Sequence, residues 1–386
     1  MNIPFDSDKL DLLLDKAGID VLVVTSKHNI QYLLGGYRYF FFDRMDAIGQ
    51  SRYLPVLVYP RSDPSKAAYL GNVMERFEND VAPFWTPEVQ TGFWGTLDTI
   101  AAVADYIRRI GASGKRIGVE TGFLPADAYV ALKASLGDAK FQDARAPLDY
   151  LRAVKTATEL EYMREASERV VDSMLAVFAS HGPGTPKRDL VAALCREEQE
   201  RGLIFEYCLP TLGPSLNRSP VEDRTWEVGQ PMSLDSGANY HGYIGDLCRM
   251  GLLGQPDAEL DDLLGEVLVV QDAALDFVKN GARGGDIFLG AKEALKASPN
   301  RDIIHFVAHG VGLVSHEVPH LTDSGPVPYP ATDAAAPLTS GMVLSVETTM
   351  LHPRRGFIKL EDTVAVTPEG YEFFGGAGRG WNPGKV

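Results

Sequence analysis

Between His305 and His320 the chain reads His-Phe-Val-Ala-His-Gly-Val-Gly-Leu-Val-Ser-His-Glu-Val-Pro-His. Four of its eight histidines fall in this one stretch. His309 and His316 stand seven apart around a Gly-Val-Gly turn. Elsewhere acidic residues interrupt apolar runs at four places. Asp235 ends Met232-Ser-Leu-Asp and precedes a Ser-Gly turn. Asp246 opens onto Leu247-Cys-Arg-Met-Gly-Leu-Leu253. Glu347 closes Met342-Val-Leu-Ser-Val-Glu, and Glu361 lies within Phe357-Ile-Lys-Leu-Glu361-Asp-Thr-Val-Ala-Val366. A carboxylate on a buried strand is costly unless it is paired or bound to metal. Each position alone has a bland account as a strand-end solvent contact. Four of them beside a histidine-rich turn do not share one. Oxygen-rich ligation with a single imidazole suits manganese, cobalt, iron or zinc, not a thiolate-type structural zinc. Two bridging carboxylates would hold two such ions roughly 3.5–4 Å apart and generate hydroxide at neutral pH. The expectation is a two-metal hydrolytic centre.

The elements that would position these residues fall into two parts, expected at 1–152 and 153–386. The first alternates strands and helices. A helix over 7–17 ends at Gly18, and Asp20–Thr25 reads as a strand apolar on both faces. A short helix over 28–34, strands at 54–59 and 67–70, a helix at 99–110, a strand at 116–120 and a helix at 125–136 follow. This is the signature of an α/β unit with a partly parallel sheet. The run Tyr37-Arg-Tyr-Phe-Phe-Phe42 breaks the alternation. It is read either as a loop folded onto the small domain's core or as an aromatic cap over an active-site mouth, its own or that of a partner subunit. In the second part, Thr158 and Glu161 have capping-box spacing for a helix reaching about Ser180. A helix over 187–201 follows. From residue 203 strands dominate, with helices at about 257–280 and 284–296 between them.

Composition narrows the function classes. A length of 386 suits two domains, and 45% apolar with 23% charged residues is ordinary globular usage. The net charge of −15 argues against a nucleic-acid groove and an anionic membrane surface. The three cysteines, Cys195, Cys208 and Cys248, are scattered and lack CxxC spacing, which argues against a disulfide framework. The N-terminus has no basic region followed by a long apolar run, and no segment has the length of a membrane span. A cytoplasmic protein is expected.

In this order and spacing the residues resemble the creatinase/aminopeptidase-like metallopeptidases of the pita-bread fold, nearest to Xaa-Pro dipeptidases and aminopeptidases. The resemblance rests on Asp235-Ser-Gly-Ala-Asn-Tyr-His-Gly-Tyr-Ile-Gly-Asp246-Leu-Cys-Arg249 and on His309-Gly-Val-Gly-Leu-Val-Ser-His316-Glu-Val-Pro319. The strands around Val346-Glu347 and Leu360-Glu361-Asp-Thr-Val364 complete it. Ala17-Gly-Ile-Asp20 and Asn29-Ile-Gln-Tyr-Leu-Leu-Gly35 resemble the family's small N-terminal domain. The resemblance implies an α+β protein, with a C-terminal pita-bread catalytic domain and a smaller N-terminal α/β creatinase-like domain.

It also implies roles. Asp235, Asp246, His309, Glu347 and Glu361 would bind two divalent metal ions, manganese foremost and cobalt, iron or zinc as alternatives. Asp246 and Glu361 would bridge, and Glu347 would act as general acid/base beside a bridging hydroxide. His316 would stabilise the tetrahedral intermediate or handle the leaving group, and His305 would stand near the substrate. The implied reaction is cleavage of Xaa-Pro dipeptides or short peptides, by a homodimer. Two departures bear on substrate. Where relatives usually carry a histidine about 17 residues before the first ligand, this chain has Asn217 and Arg218. The family's arginine two before the last ligand is here Lys359, and lysine cannot replace a planar fork. Arg218 and Lys359 are therefore the candidate substrate contacts. A same-fold C–N hydrolase of creatinase or ectoine-hydrolase type, or a sulfonium-acid lyase, is the alternative.

Overall fold

The computed structural model describes residues 2–45, 47–48, 51–325, 327 and 329–386. It divides into two compact units, Met1–Leu151 and Arg152–Val386.

The first unit is built on strands β1 (Val21–Val24), β2 (Val56–Pro60), β3 (Ala68–Asn72), β4 (Glu88–Phe93), β5 (Arg116–Val119) and β6 (Lys140–Asp143). Their spatial order is β4-β3-β2-β1-β5-β6. β1 runs parallel to β5 and antiparallel to β2. Alternate residues feed two cores. Val21, Val23, Val56 and Val58 pack with Ile100, Val103 and Ile107 of helix Thr96–Arg109. Leu22, Val24, Leu57 and Tyr59 pack with Leu10, Leu14 and Leu148. A strand buried on both faces needs apolar residues throughout, which is how β1 reads in sequence. The helix over Ser7–Ala17 is capped by Asp6 and closes on Gly18 at φ 69°, a left-handed position that glycine adopts without penalty. Edge strands β4 and β6 and helix Glu75–Val81 lack that apolar signal and escape the sequence reading. The aromatic run contains a short helix, Phe40–Arg44. Tyr39 and Phe42 bury against Tyr53, and the Tyr37 ring meets Tyr69 and Phe84.

The second unit carries β7 (Ile204–Cys208), β8 (Pro231–Tyr240), β9 (Tyr243–Leu252), β10 (Ile304–Gly310), β11 (Val343–His352) and β12 (Gly356–Val366). They lie in the order β7-β8-β9-β12-β11-β10, antiparallel along this path. The β8–β9 hairpin closes through His241 and Gly242, both at positive φ, as a two-residue turn requires. The halves meet where Cys248 of β9 faces Glu361 of β12.

Helices α1 (Ala157–Ser180), α2 (Lys187–Glu200), α3 (Ala258–Leu275) and α4 (Asp286–Ala297) supply the apolar partners. Leu234, Ala238 and Leu247 pack with Val170, Val177 and Leu190. Leu344, Val346 and Val364 pack with Val270, Ala274 and Ile287. These even and odd positions share the sheet face opposite to the acidic residues, because side chains alternate along a strand. The capping box of α1 is Thr156 with Glu159, two residues before the expected Thr158 and Glu161. Thr-x-x-Glu occurs in both registers; the earlier one wins, and it also gives Glu159 a buried hydrogen bond from the Tyr243 hydroxyl, 2.8 Å. Among the described residues no helix is long and apolar enough to cross a membrane.

Candidate metal centre

The strand registers put the expected site residues on one face. Asp235 faces Cys248, which in turn faces Glu361, and Glu361 faces Glu347 across β11 and β12. Asp246 lies two residues before Cys248 and so shares its face. His309 faces Ser345, two residues before Glu347. Period-two alternation thus turns five residues spread over more than a hundred positions toward a common point.

Ligand atoms of Asp246, His309 and Glu361, all buried, lie within 4.8 Å of one another and could hold a metal ion. The tautomer of His309 follows from its partner. Its Nδ1 lies 3.1 Å from the Gly310 carbonyl, which can only accept, so Nδ1 carries the proton. Nε2, the nitrogen available to a metal, lies 3.9 Å from Glu347 Oε1. Glu361 accepts from the Ser345 hydroxyl at 2.8 Å through Oε1, while its buried Oε2 has no hydrogen bond of good geometry. The Tyr207 hydroxyl donates to Asp246 Oδ1. Burial, with the Asp246 charge beside it, holds the Tyr207 phenol well above its ordinary pKa and keeps it a donor. Burial, then the neighbouring Glu361 and Asp235 charges, pushes the Asp246 carboxyl well above the usual range. This half of the site is short of positive charge, which a divalent ion would supply.

In the other half burial still raises the Asp235 carboxyl above its ordinary range, but fixed cations oppose it. Lys359 Nζ lies 2.6 Å from Asp235 Oδ2, 2.6 Å from Glu347 Oε2 and 2.8 Å from Glu361 Oε2. Arg218 Nη2 pairs with the same Asp235 oxygen, and its guanidinium stands over the Phe357 ring. Burial opposes the Lys359 ammonium, but the Asp235, Glu347 and Glu361 charges outweigh it and hold its pKa well above the ordinary value. Lys359, expected as a substrate contact, is buried, pairs with three of the five expected ligands and also lines the cleft beside His305.

Smaller parts complete the site. His316 stacks on His309 with ring centroids 3.7 Å apart, and its buried Nδ1 has no hydrogen-bond partner. Desolvation and the neighbouring His309 push its pKa down to about 3. The following Glu317 is buried and ties this loop to Lys155 at 2.8 Å and Arg152 at 3.3 Å. His305 is exposed and lines a cleft of about 770 Å³ with Glu347, Arg218 and Lys359. Leu216, Phe288, Phe306 and Phe357 give that cleft apolar walls.

Three contributors have roles that show only in the fold, though Arg249 is part of the pattern that carries the resemblance. Tyr207 reaches Asp246 by crossing Gly237, where any Cβ would lie 2.3 Å from its ring. That requirement is visible only once β7 and β8 are in register. Ser345 and Arg249 are the others. Arg249, fully buried, pairs with Asp362 at 2.9 Å and donates to the carbonyls of Glu361, Gly375 and Ala377, which binds β9 to β12 behind the site.

The pattern of Metallopeptidase family M24 matches residues 161–368, and that of the creatinase/prolidase N-terminal domain matches residues 7–154. The chain is 27% identical to an Xaa-Pro dipeptidase of Pyrococcus furiosus, over 82% of this chain and 90% of the other. It is 23% identical to an Xaa-Pro dipeptidase of Lactobacillus delbrueckii subsp. lactis, over 95% of each. Its fold matches the solved structure of an Xaa-Pro dipeptidase from Bacillus anthracis with a TM-score of 0.79 at 21% identity, covering 98% of each chain. The chain belongs to metallopeptidase family M24 and is a metal-dependent peptidase of the pita-bread fold with a creatinase-type N-terminal domain.

Proposed function

We propose that this metallopeptidase hydrolyses short peptides of the Xaa-Pro type at the cleft lined by Glu347 and His305. The observation that carries the reading is the convergence of Asp246, His309 and Glu361 on one point, with Glu347, 3.9 Å from His309 Nε2, lining that cleft. The Xaa-Pro dipeptidase relatives support the substrate class. Asp246, His309 and Glu361 would hold a divalent ion, with Glu347 beside them. When bound, such an ion acts as a Lewis acid and lowers the pKa of water. Glu347 has one oxygen near His309 Nε2 and the other on Lys359. It is partly open to the cleft and can take up and return a proton there. His316, stacked on His309, can hydrogen-bond to a developing oxyanion. The apolar walls suit a proline ring or an apolar side chain.

Release of free proline from an Xaa-Pro dipeptide panel, run with manganese, cobalt, iron and zinc in parallel, tests this. A second reading, hydrolysis of a small amide or guanidino compound, is favoured by Arg218 and Lys359. Both are engaged with Asp235, which leaves Lys359 without a free donor and only the remaining Arg218 N–H groups for a peptide's terminal carboxylate. Turnover of such compounds with none of any peptide would establish it. The three cysteines are unpaired, which supports a reducing, cytoplasmic setting. A homodimer is the expected assembly, and sedimentation of the full chain checks it.

A further inference from the structure

Three carboxylates from three strands, Asp235, Glu347 and Glu361, converge on the ammonium of Lys359. A lysine carries three N–H donors on a compact point charge, one for each carboxylate. The ammonium stands where a divalent ion shared by those oxygens would have to stand. It cannot easily leave. Lys359 is buried, its Cα is fixed opposite Thr349 in the β11–β12 ladder, and it lies two residues from Glu361 on the same face. Arg218 adds a second fixed positive charge on Asp235 Oδ2, the oxygen a metal would need. Two cations and a divalent ion crowded onto the same oxygens repel strongly in a dry site.

Charge counting agrees. Asp235, Asp246, Glu347 and Glu361 bring four negative charges. Lys359 and Arg218 return two, and one divalent ion returns the rest. The uncompensated charge lies at Asp246, which Lys359 does not pair with, while Glu361 is shared between Lys359 and the group it forms with Asp246 and His309.

We propose that Lys359 is the built-in cation of the seat formed by Asp235, Glu347 and Glu361, so that this chain takes one divalent ion, at Asp246, His309 and Glu361, where the sequence leads one to expect two. The proposal rests on the metal-dependent reading above but not on any substrate.

The test is stoichiometry, read without turnover. The full chain is stripped with chelator, loaded with excess manganese, desalted and measured by elemental analysis, with electron paramagnetic resonance on the same sample. The wild type should hold one manganese per chain and give an isolated-ion spectrum. Lys359→Met, which keeps the length and removes the charge, should hold two and give a spin-coupled pair. Two ions in the wild type overturn the proposal and leave the peptidase reading intact. One ion in both proteins also overturns it, since something other than Lys359 then closes the second seat. A folded wild type that holds no ion overturns the proposal and the metal-dependent reading together. Where Lys359→Met does not fold, the wild-type count alone decides.

Discussion

Asp235 and Asp246 stand on the two strands of one hairpin, share a face and are both almost wholly buried. Their surroundings differ in kind. Asp235 is held by two fixed cations, Lys359 and Arg218, while Asp246 has a phenol, a second carboxylate and an imidazole nearby. A buried carboxylate must be neutralised somehow. The chain meets that demand permanently at one aspartate and leaves it open at the other. The open one is where an exchangeable ion belongs, and the closed one is scaffold charge at the edge of the site.

The comparison predicts the largest effects on the open side. His309→Ala removes the only imidazole of that donor group. Metal content should fall below one ion per chain, and turnover should drop on the order of 10³-fold or more, the scale on which a principal electrostatic contributor is lost. Glu347→Gln should lose turnover to a similar degree while retaining metal, because it removes the proton carrier and leaves Asp246, His309 and Glu361 in place. A Glu347→Gln variant active at near wild-type rate would remove Glu347 from its assigned role.

A closed carboxylate can be compared with another behind the sheet. Arg249 and Asp362 form a buried pair with every Arg249 nitrogen bonded. Arg249→Met leaves Asp362 with Arg379 at 3.1 Å but removes its other cation and the donor to the buried carbonyls of Glu361 and Gly375, and should cost about 3–5 kcal/mol in urea unfolding. Metal should not restore it, since no donor cluster lies there among the described residues. Lys359→Met takes a cation from buried carboxylates too, but those can take an ion instead, so saturating manganese should recover much of its lost stability. Equal recovery in both variants would erase the distinction between scaffold charge and site charge.

How much of this was legible follows from what a strand encodes. A glutamate or aspartate inside an apolar run identifies a buried carboxylate without knowledge of the fold, and the family resemblance put all five in order. That Lys359 shares the face of Glu361 is also readable, since two residues separate them. Which way its side chain bends is not, because that depends on β8 and β11 lying on either side. Tyr207 was hidden for the same reason: its role needs the register against Gly237. In α1, two overlapping Thr-x-x-Glu patterns were equally good locally, and tertiary burial of Glu159 separated them. Edge strands β4 and β6 carry mixed polar residues and look like loops until they are paired.

Tyr207→Phe sharpens the open side at smaller cost. The ring still lies across Gly237, so packing is kept, and only the hydrogen bond to Asp246 is lost. Outer partners of ligands commonly carry a factor of 10–100 in metal affinity. A loss of about 10-fold in manganese affinity is expected by calorimetric titration, with the pairing of Lys359 and Asp235 undisturbed. An unchanged affinity would mean that Tyr207 shapes the pocket without orienting Asp246.

The smallest effect concerns a third buried carboxylate, which has neither fixed cation nor metal donors. Glu198 of α2 accepts from the Ser236 hydroxyl at 3.0 Å, on the face of β8 opposite Asp235, and its other oxygen is without a partner. Burial pushes its pKa up to about 8, against 4.5 in the unfolded chain. Here neutrality comes from a proton. Between those two values the folded state binds more protons than the unfolded one, so Glu198 costs stability as pH rises from about 4.5 to about 8. The full contribution is present only below the unfolded value. Glu198→Gln keeps an acceptor for Ser236 and abolishes that titration. Its stability relative to the wild type should grow by about 1 kcal/mol for each pH unit between 5 and 7, read from urea unfolding across that range. A difference that stays flat with pH would show that the wild-type carboxylate is ionised in the fold, and a cation or water would then have to reach it between α2 and β8.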